Sequence, residues 1–335
     1  MAEHRVEYTV ADLAGPPPRL DVYITDHLKL FPRSQLKQRL ARLSLNGRPV
    51  KPGKRIKSGD RIEIVYTDLP PTVLEPESMK LDILYEDDDV VVVNKPRGLV
   101  VHPGAGNRGH TLANGLLAHC AGLERAFPDQ PLRPGIVHRL DKDTSGVIIA
   151  AKHPRALEYL ARQFRLRRTR KLYVALVAGK PGARSGRVET YIARDRSHRQ
   201  RFIALGGDDG RAALIRRDEW GRVPVEEHKP PRGKPALTEY RVVREYKDCS
   251  LVYLKPRTGR THQLRVHMKY LGCPILGDPL YAKGRTAAGP LMLHAYKLKI
   301  RLPGDGKTRV FTARPPRDFR SRLKRNGAGG TPRSK

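Results

Sequence analysis

Apolar positions change their spacing several times along the chain, and each change marks an element. Leu20, Ile24 and Leu28 fall at i, i+4 and i+8, while Leu36, Leu40 and Leu43 follow a Pro32-Arg33-Ser34 start signal. This pattern predicts two short amphipathic helices. The period then shortens: Ile62, Ile64 and Tyr66 alternate with charged Arg61 and Glu63, as in a half-buried strand, and Asn46-Gly47 and Ser58-Gly59-Asp60 supply tight turns. Farther on, Val90–Val93 and Val147–Ala151 are continuous apolar runs of strand length. Leu157, Leu160, Ala161 and Phe164 after Pro154 predict a helix, and a second is expected from about Thr261 to Leu271, ending at Gly272. Strands mixed irregularly with helices predict an α+β fold rather than repeated βαβ units. No run approaches the ~20 apolar residues of a membrane span, and Met1–Val10 is polar, so no membrane partner and a cytoplasmic location are expected.

At 335 residues the chain has room for about two domains. Pro70, Pro71 and Pro76 make 67–79 a linker between a small N-terminal region, 1–66, and a larger domain, 80–313. The Pro-, Arg- and Lys-rich stretch 314–335 reads as a disordered basic tail. The charged, Gly- and Pro-interrupted stretch around 205–232 reads as an insertion within the larger domain. Sixty-six Lys and Arg against 34 Asp and Glu give a net charge of +32, which points to a polyanionic partner. The N-terminal region concentrates this charge: Arg33, Lys37, Arg39, Arg42, Lys54 and Arg55 lie in a segment whose only acid is Asp60. Its composition is that of a phosphate-binding surface, the alternative being a merely solvated basic face. The three cysteines, far apart and without C-x-x-C, fit a reducing compartment and argue against structural zinc.

Gly104, Gly106 and Gly109 spell G-x-G-x-x-G, but no acid ends a following strand, so a glycine-rich turn is expected and no nucleotide cofactor. His262 and His267 are five apart and do not share a helix face, so no metal site is expected there. In the segment Gly135–Ile149, apolar runs flank a polar loop that holds Arg139, Asp141 and Asp143. A loop on a rigid sheet can aim a carboxylate. On residue type alone, however, both Asp read as turn formers before catalysts.

The loop His138-Arg139-Leu140-Asp141, with Asp143-Thr144-Ser145-Gly146, resembles the signature of the RluA-type pseudouridine synthases, which isomerise uridine in structured RNA. Asn94-Lys95-Pro96, Lys171-Leu172-Tyr173, Thr258–His267 and Pro274–Asp278 resemble other blocks of that family in the same order. Residues 19–65 resemble the α-L RNA-binding module of a ribosomal small-subunit protein. The resemblance implies a mixed, mainly antiparallel sheet with flanking helices, joined to a small α/β RNA-binding module. It implies Asp141 as catalytic carboxylate, Arg260 as the guanidinium that keeps it ionised, Tyr173 as the aromatic against uracil, and Arg139 as the side chain that fills the place of the extruded nucleotide. His138 is expected to shape the loop, and Lys95 and His267 to line the cleft. No cofactor is implied. The expected substrate is RNA, with large-subunit ribosomal RNA favoured over transfer RNA, and the expected state is monomeric. The competing reading of the charge is a non-catalytic RNA-binding or ribosome-associated protein.

Overall fold

The computed structural model describes residues 3–13, 15–68, 74–104, 106–198, 200–206 and 233–327. Two compact units meet in sequence between Val73 and Leu74. The first has a sheet of order β1-β4-β2-β3, from β1 (Glu3–Thr9), β2 (Leu40–Leu45), β3 (Arg48–Pro49) and β4 (Arg61–Thr67). A helical turn α1 (Leu20–Val22), extended by a wider turn over Tyr23–His27, and the turn α2 (Leu36–Arg39) carry Leu20, Ile24 and Leu36 into a core with Ile62 and Ile64. Asn46 and Gly47, at φ +53° and +78°, close the β2–β3 hairpin, the left-handed pair that such a turn requires.

The expected second helix is corrected, because Leu40 and Leu43 belong to β2. Pairing of β2 with β4 slips between Leu40 and Arg42. This bulge changes the parity of the strand and gives its leucines the three-residue spacing of a helix.

The second unit is built on a sheet of order β10-β9-β11-β12-β8-β13-β7-β6-β5, with β14 also paired to β13. The strands at its centre are β6 (Val90–Lys95), β7 (Ser145–Ala151), β8 (Arg170–Ala178), β12 (Cys249–Pro256) and β13 (Leu293–Arg301). Outside them lie β5 (Ile83–Glu86), β9 (Ser185–Arg194), β10 (Phe202–Leu205), β11 (Lys234–Glu245) and β14 (Thr308–Thr312). Described neighbours are antiparallel except β7 and β13. Val90–Val93 and every residue of β7 are buried, as continuous apolar runs require. They pack with α3 (Leu112–His119), α4 (Leu123–Ala126) and α5 (Pro154–Arg165), whereas β8 and β12 pack with α6 (Gln263–Tyr270) and α7 (Arg317–Gly327).

Two expected boundaries are corrected. Leu74 is buried in the larger core, the Glu75 carbonyl accepts from Asn114, and Glu77 accepts from the His110 N–H, so 74–79 packs on the second unit instead of linking. Within the expected tail, Arg317–Gly327 is a helix held by fully buried Phe319 and by Leu323 one turn on. Residues 328–335 and nearly all of the expected insertion lie outside the described residues.

Candidate active site

The loop between Leu140 and β7 is fixed from several sides. The Thr144 N–H donates to the Asp141 carbonyl at 3.1 Å, closing a tight turn. The Lys142 carbonyl accepts from the Gly98 N–H and from Lys95 Nζ, both at 3.0 Å. Lys95 is fully buried at the end of β6, and its Nζ also donates to the carbonyls of Pro96 and Leu99 at 2.9 and 2.8 Å. Burial brings this ammonium down to about 7, against the charges of Asp143 and Asp141. Lys95 therefore ties the Asp141 loop to the preceding one and does not line the cleft.

Below the loop, Ser145 Oγ bonds His294 Nδ1 at 2.9 Å, and His294 Nε2 donates to the Ala313 carbonyl at 3.0 Å. Gly146 stands at φ +118°, where a Cβ would collide with the Ala295 carbonyl, so β7 can approach β13 only as glycine. His138 stacks on Phe164 and accepts from the Ile149 N–H at 3.1 Å, which is the loop-shaping part expected of it.

Asp141 opens onto a cavity of ≈ 130 Å³ lined by Arg139, Tyr173, Arg260, His262 and Arg265, among others. The guanidinium against it belongs to Arg265, whose Nη1 lies 3.5 Å from Asp141 Oδ2. Arg265 is only 5% exposed, and its Nε and Nη2 grip Asp278 at 2.7 and 2.8 Å. Asp278 is fully buried and also accepts from the N–H groups of Leu280 and Tyr281. Arg260, the expected partner, lines the same cavity but donates Nε to the Pro235 carbonyl at 2.9 Å.

The cause of this correction is the entry to α6. His262 is left-handed at φ +56°, and Gln263 Oε1 accepts from the Arg260 N–H and from Thr258 Oγ1, which folds 258–262 into a turn ahead of the helix. Arg265, in the first helical turn, is the one aimed at the carboxylate.

Tyr173 lines the cavity, and burial together with the Asp141 charge pushes its phenol far above the usual range, so the hydroxyl stays protonated. Tyr281, pushed up to about 12 mainly by burial, stacks its ring on the Arg265 guanidinium and bonds His262 Nδ1 at 3.0 Å. Neither Arg265 nor Tyr281 is signalled by its own spacing, although Arg265 lies within the block Thr258–His267.

His267 is corrected from the cleft to the interior, where it is fully buried between the hydroxyls of Thr190 and Thr238 at 3.1 and 2.9 Å. Burial holds both His267 and His294 down at about 4. A folded value below the ordinary 6.5 means that the unfolded chain binds the proton first. The two rings thus stabilise the fold fully above pH 6.5 and lose that contribution as pH falls toward 4. Denaturant titrations at stepped pH are expected to show a loss on the order of 3 kcal/mol for each ring across that window; a flat profile would contradict the burial of the neutral imidazoles.

In the first unit, Arg39 is corrected from RNA contact to scaffold: it pairs with Asp68 at 2.7 Å, lies over the rings of Phe31 and Tyr66, and is 16% exposed. Arg33 pairs with Asp21 and Arg55 donates to the Pro17 carbonyl, both from exposed positions. Lys37, Arg42 and Lys54 are exposed and, among the described residues, have no side-chain hydrogen bond or ion pair.

A carboxylate set against a buried guanidinium, with a protonated phenol lining the same cavity, suits an isomerase that acts on nucleic acid. Residues 89–270 match the RNA pseudouridylate synthase family, and the chain belongs to that family. It is 40% identical to the ribosomal large subunit pseudouridine synthase D of Borreliella burgdorferi, over 93% of this chain and 90% of that one. It is 36% identical to an uncharacterized RNA pseudouridine synthase of Bacillus subtilis, over 92% and 95% of the two chains. Among solved structures, human RNA Pseudouridylate Synthase Domain Containing 4 superposes with a TM-score of 0.54 at 28% identity, covering 73% of this chain and 92% of that one.

Proposed function

We propose that the protein converts uridine to pseudouridine in large-subunit ribosomal RNA, with Asp141 as the catalytic carboxylate. The observation that carries this reading is Asp141 held against Arg265 at the mouth of a cavity lined by Tyr173. The ribosomal substrate is supported by the name of the Borreliella burgdorferi relative.

In the reaction the N1–C1′ bond of uridine breaks, the uracil turns, a C5–C1′ bond forms, and the C5 proton is lost while N1 gains one. Every atom and every electron of the substrate appears in the product, so the stoichiometry calls for no redox partner. Asp141 serves either by adding to C1′ or by taking the C2′ proton, and both routes need it ionised. Arg265 supplies the opposite charge that favours that form, and Asp278 keeps the guanidinium in place. Tyr173 offers a ring for uracil and a hydroxyl for proton transfer. Arg139, exposed at the edge of the cavity, takes the place of the base that leaves the stack. Lys37, Arg42 and Lys54 offer charges to phosphates from the first unit.

Incubating the protein with unmodified transcripts of large-subunit ribosomal RNA and of transfer RNA, followed by pseudouridine-specific chemical mapping, tests the reading. A new pseudouridine confined to the ribosomal transcript is the expected result. Its appearance only in transfer RNA would overturn the substrate, and its absence from both would overturn the activity.

A further inference from the structure

A second concavity of the larger unit, ≈ 440 Å³, lies between the end of α5, the start of β8 and the strands β13 and β14. Arg162, Arg168, Arg170, Lys299 and Arg301 line it together with Tyr159, and no acid does. Arg301 is occupied with the Gly306 carbonyl. The other four cations are exposed and, among the described residues, have neither ion pair nor side-chain hydrogen bond.

One local feature shows that the fold bears a cost for this charge. Arg170 and Lys299 are direct register partners on β8 and β13, a like-charge pair that disfavours the sheet. The negative end of the helix dipole accounts for Arg162 but not for cations on two strands.

The charge supplies the occupant: four exposed cations with no acid among them complement a phosphodiester chain. Side chains on a strand alternate between faces, so Arg170 in this groove and Lys171 and Tyr173 in the active cavity put the two on opposite faces of β8. We propose that the groove is a docking surface for RNA phosphodiester backbone, which receives a part of the transcript remote from the uridine held at Asp141. This inference rests on the pseudouridine synthase reading.

The test is the full-length chain with Arg162→Gln, Arg168→Gln, Arg170→Gln and Lys299→Gln combined, changes that relieve like-charge repulsion and leave the core untouched. On the ribosomal transcript, KM is expected to rise roughly tenfold or more with kcat unchanged, and the slope of log K against log[salt] to become shallower by ~0.7–0.9 per lost contact, roughly 3 in all. Affinity for a short RNA with only the uridine and its immediate neighbours should not change. Equal KM and equal salt slope for the two proteins on the long transcript would overturn the groove. If the wild type made no pseudouridine at all, the functional reading would fail, and the salt slope of binding would still decide the groove on its own.

Discussion

Replacing Asp141 by Asn is expected to take pseudouridine formation below about 1% of wild type while RNA affinity stays within several-fold. The substitution exchanges one oxygen for nitrogen and touches no phosphate contact. Arg265 keeps its two bonds to Asp278, so no buried charge is stranded and the fold survives. What disappears is the group that attacks C1′ or accepts the C2′ proton, for which an amide has no substitute. Single-turnover rates at saturating transcript, measured beside binding at fixed salt, check both halves. Turnover by the Asn variant within tenfold of wild type would remove Asp141 from the chemistry.

The second large effect separates two arginines five positions apart. Arg265→Gln leaves Asp278 buried with only N–H partners, and losing one member of a buried pair costs about 3–5 kcal/mol. The midpoint of denaturant unfolding should fall accordingly, and turnover with it. Arg265→Lys keeps the charge but loses the planar fork that serves Asp278 and Asp141 together, so turnover should fall strongly in a chain that still folds. Arg260→Lys should stay within a few-fold of wild type, because its Nε is spent on a backbone carbonyl. If the Arg260→Lys loss equals that of Arg265→Lys, the assignment of roles is reversed.

The expectation of Arg260 came from the family resemblance, and no spacing in the chain separates it from Arg265. The loop of Asp141 was legible because two apolar runs bound it, and burial of those runs forces the polar residues between them to the end of the sheet. The choice between arginines depends on where α6 begins, and that is set by Gln263, whose amide ties down the Arg260 N–H and the Leu237 carbonyl. Such tertiary bonds leave no periodicity to read. The strand Ile62–Tyr66 and the helix after Pro154 were legible because each spends its apolar residues at one regular spacing. Leu40 and Leu43 misled because a bulge shifts the parity of β2. The helix near the C-terminus was hidden because Phe319 and Leu323 are few among many charges, although one buried aromatic suffices to hold it down. The charge of +32 announced a polyanion but could not say which cations face it, since Arg39 is spent on its own domain.

Lys95 gives the encounter with RNA an uneven division of labour. Three carbonyls from two loops converge on one buried ammonium, so the loop that holds Asp141 is already assembled when the chain has folded. Under the proposed function, binding has little ordering left to do there, and the variable share of the barrier falls on the RNA, where taking a nucleotide out of the stack costs a few kcal/mol. Discrimination between uridines is then exercised by the substrate's own deformability: a uridine in a bulge or loop reaches the cavity at less cost than one stacked inside a helix, although each would meet the same rigid enzyme.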